Sequence, residues 1–238
     1  VQAEAPAAAQ VDPDPIKFLV IGDSNSEAEQ WLAHFSALLT AAGIDHEIAT
    51  AAVGGYRCST WLSPPWPLLN ARQTAALHQP DVVVISCGTN DAANGVTGSQ
   101  MDAIYYNLMT EILIGHPPAR ILATWITYSV SPAWLAPAEA IVNDAIFRQT
   151  VNSVHGTRII GTADLQQIPP GYIDGGGVHY TEAGFEAKAR IVYNRLRLDA
   201  AYPWADVALP LCGMTGHRPD GSYPTYLPCT DLAQNPAS

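Results

Sequence analysis

Four short segments carry residue types that could do nucleophilic chemistry on a carbonyl carbon. The first is Gly22-Asp23-Ser24-Asn25-Ser26. It follows an apolar run and precedes a helical pattern, so Ser24 meets the positive end of a helix dipole and free backbone N–H groups. Those groups can hold an oxyanion while the hydroxyl attacks. The same serine serves equally well as a plain helix N-cap. The second segment is Val53-Gly54-Gly55-Tyr56-Arg57. A glycine pair lets a backbone N–H approach a ligand closely, and it also makes an ordinary turn. The third is Gly88-Thr89-Asn90-Asp91. Asn90 offers an uncharged NH₂ donor suited to an oxyanion, or an Asx-turn, and Asp91 reads as a brace for the loop. The fourth is Gly177-Val178-His179-Tyr180-Thr181. Histidine is the side chain best suited to take a serine proton near neutral pH. The chain has seven histidines, so position singles this one out.

The elements that must position these segments alternate strand and helix. Ile16 to Ile21, His46 to Val53, Asp81 to Cys87, Arg120 to Ile126 and Arg158 to Leu165 read as strands. Trp31, Leu32, Phe35, Leu38, Leu39 and Ala42 form a helical face that Gly43 closes. Met101, Ile104, Tyr105, Leu108 and Ile112 form another, with Ser99 and Asp102 as the expected N-cap and its partner. A third helix is expected over Ala138 to Val151. A last one is capped by Thr181, with Phe185, Ala189, Val192 and Leu196 on its face. Such alternation predicts an α/β fold of parallel βαβ units with helices on both sheet faces. Ligands then bind beyond the carboxyl ends of the strands, where all four segments fall.

Composition narrows the function. The 238 residues are 48% hydrophobic, enough for one sizeable core. Eleven Lys+Arg against 22 Asp+Glu leave a net charge of -11, which disfavours nucleic acid and anionic membrane surfaces. No apolar run reaches the roughly 18 residues of a spanning helix, and no signal peptide is visible. Residues 1–15 read as a linker, 16–200 as the catalytic unit and 201–238 as an irregular extension. Four cysteines stand at 58, 87, 212 and 229, without zinc spacing, so no metal is expected. Cys212 and Cys229 bracket the irregular extension and are expected to staple it, which implies an oxidising compartment. Cys58 and Cys87 could pair or stay as buried thiols.

Taken together, GDSN at 22–25, VGG at 53–55, GTND at 88–91 and GVH at 177–179 resemble the SGNH hydrolases, also called GDSL lipases and esterases. The resemblance spans roughly residues 16–198, and GxSxG is absent. It implies a flavodoxin-like three-layer αβα sandwich on a mostly parallel five-stranded sheet. It further implies Ser24 as nucleophile, His179 as general base, and an oxyanion hole of the Ser24 N–H, the Gly55 N–H and the Asn90 amide, with Gly54 as substitute for Gly55. The family places Asp three residues before the His; here that position is Gly176. The nearest acid is Asp174, five residues before, and a bulged glycine loop is expected to return it to the imidazole. A backbone carbonyl in its place would leave a dyad. The reaction needs no cofactor. The expected protein is a secreted, monomeric esterase or deacetylase of decorated carbohydrate or cell envelope. A lipase, thioesterase or O-acyltransferase uses the same chemistry, and an inactive carbohydrate-binding module could share the fold. Tyr56, Trp61, Trp66, Trp125, Tyr128, Trp134, Tyr172 and Tyr180 gather near the strand ends. They suit sugar rings or acyl chains, although core packing is the commoner use of each.

Overall fold

The computed structural model describes residues 14–27, 30–127 and 135–197. Residues 1–13 of the expected 1–15 linker and the expected 201–238 extension with its Cys212–Cys229 staple lie outside them, as do Tyr128 and Trp134. Five strands form one sheet: β1 (Ile16–Gly22), β2 (His46–Ala52), β3 (Val82–Ser86), β4 (Arg120–Thr124) and β5 (Ile159–Ala163). Their order is β2-β1-β3-β4-β5, and every pairing is parallel. This is the flavodoxin-like order, whose switch point falls between β1 and β3. Ser24 follows β1 and Asn90 follows β3, so the crevice opens between those two residues.

The strand side chains alternate between two cores. Phe18, Val20, Val82, Val84 and Leu122 face one, and Leu19, Ile21, Val83, Ile85, Ile121 and Ala123 face the other. Helices α2 (Gln30–Ala41) and α7 (Glu182–Arg197) cover the first core with Trp31, Phe35, Leu39, Phe185, Val192 and Leu196. The second lies under α3 (Ala71–His78), α5 (Gly98–Gly115) and α6 (Leu135–Val151). Two short helices, α1 (Ser24–Glu27) and α4 (Thr89–Ala93), carry the first and third segments.

One expectation changes, and one helix is new. Helix α5 begins earlier than Ser99 suggests: its N-cap is Thr97, in a reciprocal capping box with Gln100. Helix α3 was not visible as a periodic apolar stripe, because its inward face is built from Ala71, Thr74 and Ala75. It too starts at a capping box, Asn70 with Gln73. Cys58 and Cys87 are disulfide-bonded, which settles that pair.

Candidate active site

The four segments converge at the carboxyl end of the sheet. Ser24 stands half-buried at the first position of α1. His179 lies on the loop before α7, and its Nε2 is 3.0 Å from Ser24 Oγ. The His179 side chain is 51% exposed, so the pair is open to a large substrate. Gly22 is needed where β1 hands over to α1. A Cβ there would stand 2.7 Å from Ser26 Cβ and 3.1 Å from the Ser86 carbonyl oxygen.

Loop two lies beside the serine; a Cβ built on Gly54 would be 3.8 Å from Ser24 Cβ. The Gly54 N–H donates to Glu27 Oε2 at 2.9 Å and is thereby engaged. Gly55 has φ of +76°, a turn that glycine adopts without steric cost. Asn90 donates one N–H of its amide to the Tyr56 carbonyl at 3.0 Å. A side-chain amide has two such hydrogens, so this bond orients the group and leaves a second donor over.

The second and third segments are fastened together. Asp91 is buried and accepts the Cys58 N–H at 2.8 Å, and the Cys58–Cys87 disulfide joins the same two loops. Asp91 is thus a brace. Burial pushes its carboxyl up to about 6, against the pull of the Cys58 N–H and Arg57. Trp61 is buried and donates to the Gly22 carbonyl at 3.1 Å, tying the second segment to the turn that carries Ser24.

Asp174 stands five residues before His179, and the residues between them fold into a tight hairpin. Ile173 and Tyr180 form an antiparallel bridge, the Asp174 N–H donates to the His179 carbonyl at 2.7 Å, and the Gly177 N–H donates to the Asp174 carbonyl at 2.9 Å. Asp174 Oδ1 accepts the Gly176 and His179 N–H groups at 3.1 and 3.3 Å. The hairpin so formed brings Asp174 Oδ2 to 3.8 Å from His179 Nδ1. That is an ion-pair separation rather than a hydrogen bond. No backbone carbonyl of the described residues is bonded to Nδ1.

Of the aromatic residues near the strand ends, Trp61 and Tyr180 are buried core members, whereas Trp66 is 93% exposed. Among the described residues, no group of three or more His, Cys, Asp or Glu side chains is placed to hold a metal ion. Sequence reasoning passed over Lys188, which is completely buried beneath the turn that carries Ser24. Its signal was positional: it stands three residues after Phe185, on the apolar face of α7.

The sequence pattern of the GDSL-like lipase/acylhydrolase family matches residues 20–187. The chain belongs to this family of carboxylic ester hydrolases, the SGNH class. No curated protein matches it in sequence. Among solved structures it is similar to a carbohydrate esterase family 3 protein from Talaromyces cellulolyticus: 16% identity, TM-score 0.64, covering 76% of this chain and 96% of that one. A family 3 carbohydrate esterase from Clostridium thermocellum is 21% identical with a TM-score of 0.62, covering 76% and 94%. A variant of an acetyl xylan esterase from Geobacillus stearothermophilus is 17% identical with a TM-score of 0.58, covering 76% and 94%. At these identities the likeness is one of fold.

Proposed function

We propose that the protein is a serine esterase that removes short acyl groups, acetyl foremost, from carbohydrate or cell-envelope alcohols. The observation that carries the reading is the 3.0 Å contact between Ser24 Oγ and His179 Nε2. Ser24 Oγ attacks the ester carbonyl carbon while its proton passes to His179 Nε2. The oxyanion is held by the Ser24 and Gly55 N–H groups and the free N–H of Asn90. His179 then protonates the leaving alcohol as the carbon–oxygen bond breaks, and an acyl ester remains on Ser24. Water adds to that ester, with its proton going to His179; the bond from the acyl carbon to Ser24 Oγ then breaks, His179 returns the proton to Ser24 Oγ, and the carboxylic acid departs. Asp174 stabilises the imidazolium in both steps by its charge.

The open position of His179 supports a small acyl group presented by a bulky alcohol, and the likeness to carbohydrate and acetyl xylan esterases points the same way. The Cys58–Cys87 disulfide supports a secreted protein. No helix of the described residues is long and apolar enough to cross a membrane.

The test is Ser24→Ala, assayed on p-nitrophenyl acetate and on acetylated xylo-oligosaccharides, with fluorophosphonate labelling alongside. Turnover should fall by about 10³-fold or more and labelling should vanish. A wild-type protein that is folded yet resists the probe and turns over neither ester would instead be a binding module. Rates that rise with acyl length in a p-nitrophenyl series would favour a lipase over a deacetylase.

A further inference from the structure

The side chain of Lys188 reaches from the second turn of α7 through the first core to the turn that carries Ser24. Its Nζ donates to the Asn25 carbonyl at 3.1 Å and to Ser26 Oγ at 3.2 Å. Residue exposure is 0%, so nothing in bulk water solvates this amine. It lies over the Trp31 ring at 4.7 Å from the centroid and 5.6 Å from that of Tyr180. Trp31 Nε1 donates to the same Ser26 hydroxyl at 3.2 Å. Asp23, itself 2% exposed, is the acid that acts electrostatically on the lysine, and it accepts the Asn25 N–H at 3.1 Å.

A buried lysine is costly, and burial lowers its pKa to about 7 against the opposing pull of Asp23. Core filling alone does not require it, since a leucine or methionine would pack there without desolvating a charge. What the amine adds is a pair of directed bonds. Both end on residues directly following Ser24. The turn is also joined to the other side of the site: Asn25 Nδ2 donates to the Val178 carbonyl at 3.3 Å, next to His179. Ser24 and His179 come from opposite ends of the chain, 155 residues apart, and a contact as short as 3.0 Å needs both segments fixed to one body. Helix α7 is that body. It follows the His179 loop directly and grips the Ser24 turn through Lys188.

We propose that Lys188 is a positioning residue for the nucleophile, fixing the Ser24 turn to the helix that follows His179 so that the two side chains meet. The inference rests on the reading of Ser24 and His179 as nucleophile and base. An attack geometry displaced by about 1 Å costs on the order of 100-fold in rate while leaving substrate contacts elsewhere unaltered. The lysine therefore acts on kcat rather than on KM.

The experiment compares wild type with Lys188→Met, which keeps the apolar stem, and Lys188→Arg, which keeps charge and donors. All are checked for folding by far-UV circular dichroism and cooperative melting. On p-nitrophenyl acetate, K188M should lose about 10- to 100-fold in kcat with KM within about twofold. Fluorophosphonate labelling of Ser24 should slow in proportion, and K188R should recover part of the loss. A folded K188M with kcat within twofold of wild type overturns the proposal, as does a loss confined to KM. Should K188M not fold, Ser26→Ala carries the test, because it removes one of the two acceptors and leaves the lysine in place. A several-fold fall in kcat at constant KM is then expected, and full activity overturns the proposal. The Ser24→Ala control separates the two readings. If S24A still reacts with the probe, the site assignment fails; if S24A is dead and K188M is fully active, only the role of Lys188 fails.

Discussion

At the scale of single residues, the weight falls on the carboxylate beside His179. Asp174 does two separable things. Through Oδ1 it accepts two backbone N–H groups and shapes the hairpin, and through Oδ2 it places a charge 3.8 Å from Nδ1. Both side chains are partly exposed, so water and salt screen the interaction. Asp174→Asn keeps an acceptor oxygen for the hairpin and removes only the charge. Its kcat on p-nitrophenyl acetate is expected to fall about 10-fold, far less than the roughly 10⁴-fold cost of altering a buried, hydrogen-bonded triad acid. High salt should narrow the gap to wild type, because it screens what the mutation deletes. Asp174→Ala, which also loses the hairpin bonds, should be worse than the asparagine variant. Equal activities for wild type and D174N would reduce Asp174 to a loop brace.

At the scale of elements, the site is a set of loops fastened to one another. The Cys58–Cys87 bridge closes a loop across a sequence separation of 29 and joins the segment bearing Gly55 to the end of β3, just ahead of Asn90. A closure of that length is worth about 3–4 kcal/mol through the entropy of the unfolded chain. Replacing both cysteines by alanine should therefore lower urea-unfolding stability by about 3 kcal/mol. It should also lower kcat more than KM, since Gly55 and Asn90, the proposed oxyanion donors, stand on the two joined segments. A double variant as stable as wild type would show that the Cys58 N–H bond to Asp91 and the core suffice. The strands were legible in the sequence because each is a short, nearly continuous apolar run, as a doubly covered parallel strand must be. Ser24, Gly55, Asn90 and His179 were legible because each follows such a run or precedes a capped helix. Helix α3 was not, because alanines and a threonine make a weak stripe. The partner of Cys58 was not, because pairing depends on where two loops meet in space. Lys188 was hidden by its charge, which reads as solvent-facing although its spacing from Phe185 places it inside.

At the scale of the whole molecule, two cores share one sheet, and both hold ionisable groups close to the crevice. Asp23 and Lys188 lie on the α2–α7 side and Asp91 on the other, and burial disfavours the charged form of all three. Their signs differ. Lys188 is lowered from 10.5 to about 7, so its contribution to stability is full above pH 10.5 and is lost as pH falls through about 7. Asp91 is raised from 3.8 to about 6, so the fold prefers its protonated form. Its contribution is full below pH 3.8 and is lost as pH rises through about 6. A shift of about two pKa units corresponds to about 3 kcal/mol between those limits. Asp91→Asn cannot ionise, yet its amide oxygen can still accept the Cys58 N–H. Comparing the variant with wild type cancels the titration of every other group. The stability of D91N relative to wild type, from urea unfolding at pH 4 and pH 6.5, should therefore rise by about 2–3 kcal/mol across that interval. A difference that stays constant with pH would mean that Asp91 titrates as an ordinary surface acid. Its burial beside Cys58 would then place no electrostatic load on the loops that hold Gly55 and Asn90.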